Sequence, residues 1–443
     1  MNHLSPTYSR QGRNIGVIHF GLGAFHRGHQ AVYFDEALRQ GLGEWGIFGI
    51  SPRSTAVTDV LRSQDFCYTV NTRQGGAQSP TVVGSIFDGA LFDIDDSRIS
   101  GAITSADLKV ITITTTEKAY RAGVERDSMP NRLLDMLQLR FSSGLKAPTI
   151  ISCDNLPSNG TYLRSVLQQS ASMRELDVEF LSWLEEIAFP NSMVDRIVPA
   201  ITPAAIDEFE QDFGYRDLSL ITTEPFRQWV VEPHQSSYDL QSLGIEVSYE
   251  VENFERLKLR LFNGAHSATA YFSQLAGIEY VYQAMALPKW SSFISLLQEQ
   301  LATSFVAPES VNVIEYCANA RARIGNSAVA HRSAQIAMDG SAKLPQRLFQ
   351  AMNSLQVENR PRERIAFAIA LWIKFLQSEL SVTDPLGAEL ITRARDGDAY
   401  TCVREVMETP GLRMPVAEAD WKMLAGFIDE LQRYEPLDIA ENL

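Results

Sequence analysis

Residues Gly16–Phe34 read GVIHFGLGAFHRGHQAVYF, and their reading decides the fold of the first half of the chain. The β-rich run Ile15–Phe20 is a strand, a G-x-G turn follows at Gly21 and Gly23, and Ala31–Leu38 has helical character. Glycine at a strand-to-helix turn permits tight backbone geometry and lets a pyrophosphate approach the N–H groups that open the helix. The usual fingerprint continues with a third small residue, which lets helix and strand pack closely. Here His26 stands in that place, followed by Arg27 and Gly28. The exchange spares the phosphate site and predicts a wider separation or a differently aimed helix. His26 and Arg27 are then candidates to approach the phosphates directly.

Working outward, Trp45–Ser51, Leu108–Thr116 and Pro148–Cys153 are further strand candidates, with helical sequence around Asn131–Phe141. This alternation predicts an α/β unit with a largely parallel, Rossmann-like sheet. After about residue 250 the β-branched runs thin out and helical periodicity takes over at Ser291–Leu301, Leu344–Leu355 and Arg362–Leu380. The expected organisation is a dinucleotide-binding domain over 1–249, closed by a strand at Ile245–Val251, and a mainly α-helical substrate domain over 250–443. An acidic residue that binds the ribose 2′-hydroxyl normally ends the second strand. This chain continues instead with Ser51-Pro52-Arg53-Ser54, so Arg53 is either a 2′-phosphate partner or a solvated turn residue. NAD is the expected cofactor, with NADP left open.

A formal net charge of −15 over 443 residues argues against nucleic acid or an anionic membrane as partner. Cys67, Cys153, Cys317 and Cys402 are widely spaced, which predicts buried free thiols and neither structural zinc nor a disulfide framework. The first residues lack the apolar core of a signal peptide, and the apolar run Ile365–Leu376 is too short to span a bilayer and contains Lys374. A cytoplasmic location is the expectation.

The second informative stretch is FERLKLRLFNGAHSATAYFSQLAG, Phe254–Gly277, apolar enough from Leu257 to be a buried helix. Its polar residues therefore need a reason. At α-helical spacing Asn263 and His266 lie roughly 140° and 80° around from Lys258, so all three can point to one side. Oxidation of a secondary alcohol needs a base for the hydroxyl proton, and a lysine serves if burial and neighbouring cations depress its pKa. An asparagine N–H stabilises the developing alkoxide, and a histidine orients the substrate. This chemistry needs no metal. The plainer alternative has Lys258 reaching the surface beside Arg256 and Arg260, with Asn263 and His266 satisfying backbone groups.

The pattern K-x4-N-x2-H at these three positions, together with GLGAFHRGHQ near the N-terminus, resembles the polyol-specific long-chain dehydrogenases. That family includes mannitol and arabinitol dehydrogenases and the fructuronate and tagaturonate reductases. Similar segments follow in order: SQDFCYTV, TTTEKAY, SCDNLPSNG, FPNSMVDRIVP, EPFRQWVVE and DGSAKLPQR. The resemblance implies that Gly21, Gly23, Phe25, His26, Arg27 and Gly28 form a variant cofactor motif. It also implies Lys258 as general acid/base, Asn155 and Asn263 as oxyanion donors, and His266 as substrate-positioning residue. Asp195 and Lys343 would contact substrate, and Glu255 would relay the proton of Lys258 to solvent. A monomer acting on a small sugar acid or polyol is implied. The mannitol dehydrogenases carry an arginine eight residues before the DGSxK lysine, where this chain has Gln335, a form closer to the uronate reductases. Fructuronate/D-mannonate chemistry is therefore favoured, with Arg227 as the candidate partner of the substrate carboxylate. Mannitol 2-dehydrogenase is the sibling alternative. A nucleotide-binding sensor without turnover is the alternative of another class.

Overall fold

Runs of β-branched and apolar residues place eleven strands among the described residues of the first part of the chain. They are β1 (Ile15–Phe20), β2 (Gly46–Ser51), β3 (Tyr68–Gln74), β4 (Ala77–Val83), β5 (Ile86–Leu91), β6 (Val110–Ile113), β7 (Thr149–Ser152), β8 (Ser192–Asp195), β9 (Ile221–Thr223), β10 (Gln228–Val231) and β11 (Glu246–Val247). The computed structural model describes residues 4–115, 119–236 and 238–443. Residues 116–118 of the TTTEKAY segment lie outside the described residues. The chain forms two compact units, Met1–Glu252 and Asn253–Leu443.

The first unit is built on a five-stranded parallel sheet of order β5-β2-β1-β6-β7. Both of its faces are buried. Val17, Ile47, Val110 and Ile151 belong to one apolar cluster, and Ile18, Phe48, Ile111 and Ile150 to another. That two-sided burial explains why the strands read as continuous apolar runs with little alternation. The chain moves from β1 outward through β2 to β5, then returns to the other side of β1 at β6. The crevice between the C-terminal ends of β1 and β6 is therefore the switch point at which doubly wound sheets bind ligands.

Two small sheets, β4-β3-β9 and β11-β10-β8, complete the unit. The sequence reading did not anticipate the β3–β4 hairpin, whose Gly75 has φ +56°. The strand expected at Ile245–Val251 is cut to two residues. Ser248 Oγ accepts from Glu250 N and turns the chain into a helix that begins at Val251.

The second unit is helical, and its only β feature among the described residues is the isolated bridge Tyr280–Arg332. The helix Glu363–Gln377 runs through its core, with every residue from Ile365 to Ile373 at most 1% exposed. A helix apolar all round is stable only when surrounded in this way. No helix among the described residues is long and apolar enough to cross a membrane.

Candidate active site

In the first unit, the turn after β1 requires both of its glycines, for different reasons. Gly21 has φ +100°, and a Cβ there would lie 2.0 Å from Thr114 O on the neighbouring strand end. Its carbonyl accepts from Gly23 N at 2.7 Å and from Thr114 Oγ1 at 3.0 Å, with His19 Nε2 at 3.0 Å. Gly23 is exposed, and a Cβ on it would meet nothing within 4 Å. Gly21 thus fixes the backbone, while Gly23 leaves an open approach above the switch point. A pyrophosphate fits such a cradle, which is the place a dinucleotide occupies in this fold.

His26 and Arg27 correct the expectation that they reach toward phosphate. His26 is fully buried, and its ring lies 3.3 Å from that of His19, nearly parallel at 13°. The imidazole therefore fills the helix–strand gap that a third glycine would have closed. Arg27 points inward, donating from Nη1 to Ser219 O at 2.7 Å beside the Tyr68 ring. Close packing falls instead to Gly28, where a Cβ would come within 3.0 Å of Val198 and 3.1 Å of Ile221. The helical stretch covers Ala24–Gly28, breaks at His29, and resumes over Gln30–Gln40, which includes the expected run Ala31–Leu38. Half-buried Phe25 stacks on His29 at 5.0 Å.

Asn155 lies just beyond the C-terminal end of β7, on the same edge of the sheet as the glycine turn, and is exposed. Asp195 ends β8, buried, opposite Gln228 on β10. Their carriers are joined by a residue that sequence reasoning passed over. Buried Asn159 donates to Asp154 O at 3.0 Å and Ser192 O at 2.8 Å, and accepts from Ser192 N at 2.9 Å. It ties the loop of Asn155 to the strand of Asp195. Substitution Asn159→Ala leaves these buried backbone groups unsatisfied and is expected to cost about 3 kcal/mol. Urea unfolding of wild type and variant measures that difference.

Arg227 is not available as expected. Its Nη1 donates to Glu36 Oε1 at 2.8 Å, its Nη2 to Glu36 Oε2, and its guanidinium lies over the Tyr33 ring. A fork already spent on one carboxylate within the unit does not serve a second one in a substrate. Arg53, past the end of β2, is exposed.

In the second unit the helix that carries Lys258, Asn263 and His266 is not uniformly α-helical. It is α over Val251–Leu257, π over Lys258–Gly264, and α again over Ala265–Leu275. The π rings close i→i+5, so residues five apart lie nearer one line than in an α-helix. Lys258 and Asn263 are five apart, and the angle between them is smaller than the roughly 140° that α-helical spacing gives. A second π segment, Pro345–Phe349, directly follows the short helix Gly340–Leu344 that carries Lys343. Pro345 has no N–H to give an i→i+4 bond, a local cause for the widening. The two wide segments meet at Gly264, where a Cβ would lie 3.3 Å from Arg347 O and 3.4 Å from Leu348 Cδ2.

Lys258 and His266 are buried, while Asn263 and Glu255 are half-buried. The ring of His266 lies 5.5 Å from Phe262 and 5.2 Å from His331, and its Nε2 has no hydrogen-bond partner among the described residues. Burial holds its pKa well below the ordinary value, and His331, Arg347, Arg323 and Lys343 push in the same direction. His266 is therefore a neutral imidazole. Arg323 lies over Phe262 at 4.0 Å, Arg347 Nη1 donates to Ser267 Oγ at 2.8 Å, and Lys343 Nζ donates to Met338 O at 2.7 Å. Of this basic surround only Lys343 was named from the sequence. Arg323, His331 and Arg347 lie 57 to 81 positions from His266, and only Arg347, in the DGSAKLPQR segment, carried a sequence signal. Gln335 is exposed on the short helix Ser333–Ala337.

Buried histidines make stability pH-dependent. Burial pushes His19 down to about 3 and His331 to about 4, with His26 and His266 also lowered. Below about pH 6.5 the unfolded chain protonates these rings while the folded chain does not. The unfolded state then binds more protons, so stability is full above that pH and falls as pH drops toward 3. Thermal melting at pH 7.5, 5.5 and 4.5 should show a progressive fall; a flat profile would refute neutral burial of these rings.

Comparison with known proteins follows the same division of the chain. A family described as the mannitol dehydrogenase Rossmann domain matches residues 15–243, and one described as the mannitol dehydrogenase C-terminal domain matches 250–409. A mannitol 2-dehydrogenase of Aspergillus fumigatus is 32% identical over 433 residues, covering 88% of this chain and 86% of the relative. An uncharacterized oxidoreductase of Escherichia coli, YdfI, is 31% identical over 415 residues, covering 86% and 84%. Among solved structures, Pseudomonas fluorescens mannitol 2-dehydrogenase in ternary complex with NAD and D-mannitol matches at TM-score 0.85 and 25% identity, covering 99% of this chain and 95% of that one. A substrate-free D-sorbitol dehydrogenase, 23% identical with TM-score 0.85, shares the fold.

Proposed function

The chain belongs to the mannitol dehydrogenase family and is a polyol or sugar dehydrogenase of it, and from that premise we propose that it interconverts a keto-hexuronate and its sugar acid, with fructuronate and D-mannonate as the pair. NAD, when bound, supplies or accepts the hydride at the carbinol carbon. The relative solved with NAD and D-mannitol supports that cofactor, as does the Gly21–Gly23 cradle.

This chain's residues manage the proton and the charge. During reduction Lys258 gives a proton to the oxygen of the former ketone, and during oxidation it takes one from the hydroxyl. Asn263 donates an amide N–H to that oxygen as negative charge builds, and Asn155 is assigned the same task. His266, held neutral, offers Nε2 to a neighbouring substrate oxygen. Glu255, three residues before Lys258, passes its proton to solvent. Asp195 and Lys343 are assigned to the remaining substrate oxygens.

The observation that carries the acid substrate is the basic surround of His266: Arg323, Lys343 and Arg347 in a chain of net charge −15. A concentration of positive charge against the overall sign favours an anionic substrate. With Arg227 committed to Glu36, the substrate carboxylate is assigned to the positive field of this cluster as a whole, and to no single unspent cation. Mannitol/fructose is the second reading, favoured by the names of the 32%-identical relatives.

The test follows absorbance of NADH and NADPH with fructuronate, tagaturonate and fructose. The proposal expects kcat/KM for fructuronate to exceed that for fructose by about 100-fold or more, the size of losing one charge-assisted contact. Fructose reduced as well as fructuronate, or better, would move the protein to the mannitol reading. A preference for NADPH would give Arg53 the 2′-phosphate.

A further inference from the structure

A basic hollow in the helical unit is lined by none of the groups named around His266. Its volume is about 830 Å³, and Arg256, Arg260, Ser304, Asn353 and Arg360 are among its lining residues. Arg260 belongs to the π segment and is only 6% exposed. Its Nη1 donates to Ser304 O at 2.5 Å and to Ser304 Oγ at 2.8 Å, and its guanidinium lies over the Phe305 ring. Nε and Nη2 have no acceptor among the described residues. Burial and the neighbouring Arg256 push Arg260 down to about 10, the mark of a guanidinium desolvated beside another cation.

Arg360 approaches from the far wall, its Nη1 donating to Thr303 O at 2.7 Å and to Glu358 Oε2 at 3.2 Å. Glu358 is the single carboxylate of the lining, set against three arginines. The N–H groups of Arg260 that open onto the hollow are met there by water or by an anion, and an anion also offsets the adjoining positive charge of Arg256. Guanidinium forks match the oxygens of a phosphate in pairs, and several around one cavity suit a dianion better than a single carboxylate.

We propose that this hollow binds a phosphate monoester, with Arg260 as the buried anchor and Arg256 and Arg360 completing the clamp. The lining residues belong to the second unit and the Gly21–Gly23 turn to the first, and the proposal does not depend on which sugar the enzyme reduces.

Inorganic phosphate is the probe, titrated by calorimetry into the full-length protein with NADH saturating, so that the dinucleotide cradle is filled. Ionic strength is held constant with sodium chloride. The expected result is saturable phosphate binding that weakens about tenfold or more in both Arg360→Gln and Arg260→Gln, since each removes a charge-assisted contact. Arg360→Gln is a substitution at an exposed side chain and should keep basal turnover, which certifies its fold if Arg260→Gln is unstable. Phosphate heats no larger than those of chloride, or unchanged affinity in folded Arg360→Gln, would overturn the proposal.

Discussion

Lys258→Ala should lower kcat for the reduction by about 10²- to 10⁴-fold, the range that one positioned acid/base group contributes. The expectation rests on where the residue sits. Lys258 is buried at the first position of the π segment, with Asn263 five residues on and His266 one further turn along. No other residue of this helix from Lys258 to Gly277 is a lysine. The loss should fall on kcat far more than on cofactor binding, because the proton moves only as the bond to hydride forms or breaks. Fluorescence titration with NADH should therefore give nearly the wild-type dissociation constant. Near-normal turnover of the variant at neutral pH would remove Lys258 from the chemistry.

Gly21→Ala should fail in the opposite way. Its φ of +100° is a conformation that alanine adopts only under strain, and the added methyl would meet Thr114 O at 2.0 Å. Strained backbone of this kind costs about 1–3 kcal/mol before any clash is counted. The turn must open to relieve the contact, and Gly21 O then loses its bonds from Gly23 N and Thr114 Oγ1. We expect NADH affinity to fall by about 100-fold or more, the equivalent of some 3 kcal/mol. Gly23→Ala is the instructive partner. A Cβ there touches no protein atom, so that variant should fold like wild type and lose affinity only through the ligand's side of the turn. Equal melting temperatures for wild type and Gly21→Ala would contradict this account of the turn.

These two positions were legible in the sequence because their chemistry is local. Glycines spaced G-x-G after a strand announce a backbone requirement, and a lysine inside an apolar helix is costly enough to demand a reason. The same logic misread His26 and Arg27. Their proximity to the turn suggested phosphate contacts, yet His19, seven residues earlier on β1, offers a ring for His26 to stack on, and Ser219 offers a carbonyl for Arg27. Neither partner is visible from spacing. Arg227 was misjudged for a similar reason, since its partner Glu36 lies 191 positions away.

The π segments were the other gap. Apolar periodicity fits α and π turns almost equally well over seven residues, so Lys258–Gly264 read as ordinary helix. Pro345 was the one local hint, and its significance depends on Gly264 packing against that same stretch. Asn159 was hidden inside the SCDNLPSNG segment because its three bonds reach to β8 and the loop before it. Long-range partners, then, account for most of what the sequence did not disclose.

The proposed reaction is hydride transfer between a nicotinamide and the secondary alcohol of a sugar acid. Its most direct test is reduction of fructuronate by the purified protein with NADH deuterated at the transferable C4 position, followed by mass spectrometry of the product. The expected product is D-mannonate carrying one deuterium, at the carbon that was the ketone, with Lys258→Ala forming it at least about a hundredfold more slowly. Fructuronate left unreduced while fructose is converted to deuterated mannitol would contradict the acid substrate, and no deuterium in any product would contradict the hydride transfer itself.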